Sequence, residues 1–180
     1  IDPLQKISEL EGPETDVTVR FGRGRYPGLR AKRLMKQEVF PVCSPELLRG
    51  EHPLLSPADL RWHTLIHHDP TFYDPDWPRW EKWLRAARVT GINASIGPHF
   101  SSPNFTIQAV LEGQGVALAV SLMADELVAQ GQLIQLFDVN YPGSYGYYGV
   151  VSDEKVEEPR VSAFWEWLTA EARDNRSVMG

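Results

Sequence analysis

Short extended stretches alternate with helix-forming stretches along most of this chain, and that alternation limits the possible folds more than any other feature. Val17, Val19 and Phe21 alternate with polar residues, which is typical of a half-buried strand. Residues 116–120 form an unbroken apolar run of strand length, which indicates a buried strand. In residues 79–88 the apolar side chains instead recur at helical spacing. Strands that alternate with helices favour an α/β fold with largely parallel sheets.

Serine–proline pairs mark the starts of three predicted helices. Serine at the N-cap supplies a hydrogen-bond acceptor, and proline at the first helical position already has the required φ. The pairs are Ser44-Pro45, Ser56-Pro57 and Ser102-Pro103. The remaining predicted helices are 1–12, 122–130 and the stretch from Pro159 onward, and the remaining predicted strands are 34–43, 65–67, 96–100, 133–137 and 145–151.

Length, charge and cysteine content limit the class of protein. A chain of 180 residues suffices for one substantial domain or for two small lobes that share a hinge. The net charge of −6 repels phosphate backbones, so we do not expect this segment to bind nucleic acid. No apolar run approaches the length of a membrane span. The single cysteine, Cys43, is interpreted as a buried structural thiol and favours a reducing compartment, which we expect to be the cytoplasm.

Sequence patterns that organise catalysis or hold a cofactor are absent from this chain. It has neither a Gly-x-Ser-x-Gly nucleophile elbow nor a P-loop. The glycine spacing in 22–28 does not fit a dinucleotide fingerprint, and Pro27 prevents an immediate helix. His67 and His68 are neighbours on a predicted strand, so their side chains point to opposite faces and do not readily share a metal ion. We therefore expect no enzymatic activity, no cofactor and no metal.

Two places where strands end combine polar and basic side chains. Ser101, Ser102 and Asn104 lie where a predicted strand passes into a helix, and backbone N–H groups at such a helix start suit a carboxylate or another anion. The alternative interpretation is that Ser102 only caps the helix. Arg23 follows the strand that ends at Phe21, where ligands of open α/β sheets gather, and its guanidinium can pair with an anion.

Five stretches together resemble LysR-type bacterial transcriptional regulators, in the subgroup of the glycine-cleavage activator and the β-lactamase regulator. The resemblance implies an effector domain of two Rossmann-like α/β lobes, joined by two crossover strands, with the architecture of a type II periplasmic binding protein. It also implies that a small-molecule effector lies in the cleft between the lobes, and the donor and basic groups described above favour an anionic one. The stretches are Asp16–Ala31, Pro41–Leu48, Phe100–Val110 with Gly113–Leu118, Tyr147–Val151 and Ala163–Leu168, in the order of the family.

The resemblance also implies domain limits and partners. The first lobe would comprise residues 1–43 and 146–180, and the second lobe residues 44–145. Family members carry a winged helix-turn-helix, a linker helix and a strand–helix–strand segment before the position of Ile1, so the first lobe is expected to lack its first strand and helix. We expect DNA contact only through that absent domain, a homodimer or tetramer in the full-length protein, and no contact with a membrane.

Eight residues are expected to contact the effector on this mapping. They are Phe21, Arg23, Phe100, Ser101, Ser102, Asn104, Tyr145 and Tyr147. Strand alternation predicts that Tyr145 and Tyr147 share one face and that Tyr148 lies on the other, although ordinary strand packing is an alternative role for these rings. An extracytoplasmic solute-binding protein of a transporter shares the two-lobe architecture and is the alternative function. A helix-turn-helix upstream would support regulation, whereas a signal peptide would support transport.

Overall fold

The computed structural model describes residues 16–69, 77–139, 141 and 145–178, so the predicted helix at 1–12 lies outside the described residues. The chain divides into two compact units, Ile1–Gln37 with Gly143–Gly180 and Glu38–Pro142. This division falls before Val39–Cys43, whereas the sequence-based lobe boundary falls after it. The difference arises because, among the described residues, that strand pairs with strands of the second unit.

An antiparallel three-stranded sheet forms the described centre of the first unit. Its strands are β1 (Val17–Gly22), β2 (Arg30–Lys36) and β8 (Gly146–Val151), in the order β1-β8-β2. After β8 come the helices α4 (Asp153–Val156) and α5 (Pro159–Val178), the first of which the sequence analysis did not predict. Trp165 of α5 and Val151 of β8 lie in one small core.

A five-stranded sheet forms the second unit, in the order β5-β4-β6-β3-β7. The strands are β3 (Val39–Cys43), β4 (Leu65–His68), β5 (His99–Phe100), β6 (Val116–Val120) and β7 (Ile134–Gln135). The helices are α1 (Trp80–Ala86), α2 (Pro103–Leu111) and α3 (Ser121–Ala129). None of the helices in the described residues is long and apolar enough to cross a bilayer.

The expectation of largely parallel sheets is wrong for the described residues. Only the pairs β4–β5 and β4–β6 are parallel, whereas β3 is antiparallel to β6 and to β7, and β8 is antiparallel to both β1 and β2. The predicted strand 34–43 is in fact two strands, β2 and β3, in different sheets. Hydrophobic alternation identifies a strand, but it does not specify the direction of the neighbour with which the strand pairs.

Both faces of the second unit's sheet are buried, which explains its continuous apolar strands. Successive residues of β6 enter different cores: Val116 packs with Trp80 and Trp83, and Ala117 packs with Ile107 of α2. Because side chains alternate across a strand, two covered faces require apolar residues at every position. The fold therefore holds β4 and β6 firmly between helices on each side.

The three helices predicted at serine–proline pairs differ in how far they form in the structure. Ser102 is the N-cap of α2, as predicted. Ser56 begins a 3-10 helix, Pro57–Trp62, in which the Asp59 carboxylate accepts hydrogen bonds from the Ser56 N–H (2.8 Å) and hydroxyl (2.9 Å), and these bonds lower the pKa of Asp59. The helix predicted at Ser44 is wrong, since only a 3-10 turn at Leu47–Arg49 forms there. No apolar helical period follows Ser44, so the cap has no helix to stabilise.

Candidate functional site

The eight residues expected to contact an effector fall into two groups, one in each compact unit. Phe21, Arg23, Tyr145 and Tyr147 belong to the first unit. Phe100, Ser101, Ser102 and Asn104 belong to the second unit. Within each unit the structure brings the four residues of the group close together along the chain or across strands.

Aromatic rings line the group in the first unit. Phe21 on β1 pairs with Tyr147 on β8, with ring centroids 5.2 Å apart, and stacks on Tyr145 at 5.3 Å with 18° between the planes. Tyr148 lies on the other side of the sheet, in edge contact with Tyr26 at 6.2 Å. This arrangement confirms the predicted alternation of the three tyrosines.

A cation lies at the edge of this aromatic cluster. The guanidinium carbon of Arg23 is 5.9 Å from the centroid of the Tyr145 ring, within the range of a cation–π contact. Arg23 is exposed, Tyr145 is buried, and Tyr147 is half-buried. Burial raises the pKa of the Tyr147 phenol, so its hydroxyl stays neutral and able to donate a hydrogen bond. An apolar surface beside a charge and a neutral donor suits an anion with an apolar body.

The group in the second unit lies at the start of α2. The Ser102 carbonyl accepts hydrogen bonds from the N–H and the hydroxyl of Thr106, each at 3.2 Å. The Ser102 hydroxyl makes no capping hydrogen bond, although the residue occupies the N-cap position. The simple capping interpretation therefore accounts for the backbone of Ser102 but not for its side chain.

Donors are concentrated at this helix start. The first-turn N–H groups of an α-helix have no partner inside the helix, and Pro103 carries no N–H, so the donors come from the next residues. Ser101 and Asn104 are exposed, and Ser102 is half-buried. Together with the positive end of the helix dipole, these groups suit an oxyanion.

A histidine–aspartate cluster lies next to this helix start, and the sequence analysis did not identify it. The parallel pairing of β4 with β5 places His67 opposite His99, with the rings stacked at 4.2 Å and 10° between the planes. The Nδ1 atom of His99 is 2.7 Å from Oδ2 of Asp69, whose N–H donates to the Phe100 carbonyl at 2.8 Å. His99 and His67 are thirty-two residues apart in sequence, so only strand register could have revealed the pair.

His67 and His68 contact different neighbours, as expected from strand alternation. His67 stacks on His99, whereas His68 meets the edge of Trp77 with centroids 5.5 Å apart. Within the part of the chain that the structure describes, no cluster of three or more histidine, cysteine or acidic side chains is arranged to hold a metal ion. The stacked pair is therefore interpreted as a packing contact between the two rings.

The stability of the protein is expected to fall as the pH is lowered from about 7.5 to about 5.5. Burial and the neighbouring His99 lower the pKa of His67 below its ordinary value of 6.5, and burial lowers that of His68. A folded state with depressed histidine pKa values binds fewer protons than the unfolded state. The stabilisation is therefore fully present above about pH 6.5 and decreases as the pH falls toward the folded-state pKa. Thermal unfolding across this range measures the effect.

His67→Gln should reduce this pH dependence, because the variant no longer gains a proton on unfolding at this position. His52→Gln is the matched control, since His52 is exposed. Equal slopes of unfolding temperature against pH for the wild type and His67→Gln would contradict the assignment.

Cys43 is fully buried in the core of the second unit. Burial raises the pKa of its thiol to about 11, so the thiol is protonated at neutral pH. A protonated, inaccessible thiol is a poor nucleophile, which agrees with the structural role expected from the sequence.

Comparison with known proteins identifies relatives over nearly the whole chain. Residues 2–173 match the family model of the LysR substrate binding domain. The glycine cleavage system transcriptional activator of Escherichia coli (strain K12) is 38% identical over 172 residues, which are 96% of this chain and 54% of that protein. The HTH-type transcriptional activator AmpR of Providencia stuartii is 30% identical over 167 residues, which are 93% of this chain and 53% of that protein. The solved effector domain of the transcriptional regulator AmpR of Pseudomonas aeruginosa matches with a TM-score of 0.71 at 25% identity, covering 97% of this chain and 80% of that chain.

The chain spans about half the length of these curated relatives. The likeness to the solved effector domain confirms the predicted α/β fold of the type II periplasmic-binding-protein kind. The relatives are transcriptional regulators, in agreement with the expectation that this chain is not an enzyme. Since the family model matches all but a few terminal residues, the chain belongs to the family of LysR substrate-binding domains.

Proposed function

We propose that this chain is the ligand-sensing domain of a LysR-type transcriptional regulator and that it binds a small, anionic effector. The family match over residues 2–173 is the observation that carries the proposal, because its relatives are named as transcriptional activators. Nothing in the comparisons favours the alternative, a solute-binding protein of a transporter. The protein acts in the cytoplasm, where a regulator meets its DNA.

In this proposal the two groups of residues contribute different parts of one effector site. The N–H groups of the first turn of α2 and the hydroxyls of Ser101 and Ser102 receive a carboxylate. Arg23 contributes a second positive charge, and the rings of Phe21 and Tyr147 contact the apolar body of the effector. The family architecture implies that the effector lies in the cleft between the two lobes.

Regulation follows if the effector binds one arrangement of the two lobes more tightly than another. A ligand shifts such an equilibrium only by the difference between its affinities for the two states. The shifted arrangement is then transmitted to a winged helix-turn-helix domain through a homodimer or tetramer of the whole protein. DNA contact belongs to that domain, because the chain itself carries a net charge of −6.

Ser102→Ala and Arg23→Ala should each weaken effector binding without unfolding the domain. Removing a hydrogen bond or ion pair to a charged ligand costs about 1.5–3 kcal/mol, so we expect about ten- to one-hundred-fold weaker binding. An effector is first found by thermal-shift screening of metabolite anions, and its affinity for each variant is then measured by calorimetry.

Arg25→Ala is the matched control for the arginine variant, because Arg25 is an exposed arginine of the same loop. It should leave the affinity unchanged. Unchanged affinity in both Ser102→Ala and Arg23→Ala would remove the site assignment, whereas an effector that binds without altering DNA binding by the whole protein would contradict the regulatory role.

A further inference from the structure

A groove in the second unit lies outside the residues assigned to the effector. It is open, has a volume of about 550 Å³, and runs between the C-terminal half of α1 and the loop that follows it. Buried Leu84 and Ala94, with half-buried Val89 and Ile92, form its apolar floor. None of the eight residues of the proposed effector site lines it. Its volume is within the range of small-molecule sites, about 300–1,000 Å³.

The rim of this groove is positively charged. Arg85 and Arg88 line it, and Glu81 is the one acidic residue among the lining side chains. Both arginines are exposed, and within the described residues neither guanidinium forms a hydrogen bond or an ion pair. Two cations against one carboxylate give the groove a net attraction for an anion.

The backbone at Arg88 supplies an independent observation. Three helices of this unit end in the same hydrogen-bond motif, in which the N–H two residues beyond the C-cap donates to a carbonyl of the last turn. The donor and acceptor residues are Val89 and Leu84 in α1 (2.9 Å), Gln114 and Ala109 in α2 (3.0 Å), and Gln132 and Leu127 in α3 (2.8 Å). The residue before the donor must adopt a left-handed conformation in such a motif.

Two of these helices use glycine at the left-handed position, and α1 does not. Gly113 has a φ of 74° and Gly131 a φ of 71°, whereas Arg88 holds a φ of 57°. A left-handed conformation is unfavourable for a residue with a Cβ atom, so glycine is the ordinary choice there. An arginine near a helix C-terminus also interacts favourably with the helix dipole. Any position in the last turn would allow this interaction, so the dipole does not explain an arginine at the left-handed position. The left-handed conformation instead sets the direction in which the Arg88 side chain leaves the backbone, and Arg88 lines the groove.

We propose that this groove is a second small-molecule site, which takes a carboxylate attached to an aliphatic body. Arg85 and Arg88 bind the carboxylate, with the planar guanidinium matching its two oxygens. The aliphatic body lies on Leu84 and Ile92. The site is independent of the proposed effector site, because the two share no residue.

Hexanoate is a suitable probe because it joins a carboxylate to an aliphatic chain. Acetate and hexanol are the comparison compounds. Amide NMR titration of the protein should show saturable shifts for residues 84–95 with hexanoate. Acetate lacks the apolar body and hexanol lacks the charge, so each should bind at least about tenfold more weakly. Hexanol that binds as well as hexanoate would overturn the proposed ligand class, and unchanged amide signals in 84–95 would overturn the site.

Arg88→Gly distinguishes a binding role from a structural one. The variant should unfold at a temperature about 1–4 °C higher, because glycine relieves the left-handed conformation, and yet bind hexanoate about tenfold more weakly. Arg49→Gln changes an exposed arginine elsewhere in the unit and should leave binding unchanged. Hexanoate binding to Arg88→Gly with wild-type affinity would overturn the proposal, whether or not the effector site is assigned correctly.

Discussion

Gly97→Ala should destabilise the protein by at least about 3 kcal/mol and disturb the start of α2. Gly97 has a φ of 147°, and a Cβ atom added there would lie 1.8 Å from the backbone oxygen of Leu65. The obstructing atom belongs to β4, which is held between two buried faces, so it cannot move aside at low cost. The chain at Gly97 has to shift instead, which pulls β5 away from β4.

The consequence of this shift reaches the proposed effector site. The Pro98 carbonyl accepts a hydrogen bond from the His67 N–H at 2.9 Å, and Phe100 accepts one from Asp69. Loss of these bonds releases the strand that positions Ser101 and Ser102. Urea unfolding measures the stability, and effector affinity measures the effect on the site.

Gly91→Ala is the matched control. Gly91 also has a positive φ, 79°, but an added Cβ atom would meet nothing within 4 Å. Its cost should therefore be that of the conformation alone, about 1 kcal/mol. If Gly97→Ala costs no more than Gly91→Ala, the close approach of the two chain segments is not what requires glycine at this position.

Trp80→Ala and Trp83→Ala should each cost about 3–5 kcal/mol, because each removes a large, fully buried side chain from one core. The two rings meet edge to face with centroids 5.8 Å apart. Such cavities cannot close without moving α1 relative to β4. Trp62→Ala serves as the control, since that side chain is 61% exposed and its removal opens no cavity.

Phenylalanine substitutions separate packing from hydrogen bonding at the same two positions. The indole N–H of Trp80 donates to the Ile66 carbonyl at 3.0 Å, whereas that of Trp83 is buried without a partner among the described residues. Trp80→Phe loses a buried hydrogen bond, and Trp83→Phe removes an unsatisfied polar atom. We expect Trp80→Phe to cost about 1–2 kcal/mol more than Trp83→Phe in urea unfolding. Equal costs would show that the bond to Ile66 contributes nothing to stability.

The parts of the fold that follow from sequence are those with a local cause. The run 116–120 is buried on both faces and is β6, and Ser102-Pro103 begins α2. The period-2 alternation of Tyr145 and Tyr147 against Tyr148 holds because a strand turns each successive side chain to the opposite face. Predictions were less accurate where a local signal lacked support from its neighbours, as at Ser44, where a cap precedes no amphipathic helix.

Local pattern alone established the alternation of strands and helices, the helix start at Ser102, and the motifs by which the chain resembles its family. It did so because propensity, capping and side-chain period depend only on residues a few positions apart. Contacts between distant segments depend instead on register and direction, which no local pattern specifies. The stacking of His67 on His99, the approach of Gly97 to Leu65 and the groove beside Arg88 were therefore decided only when the chain folded.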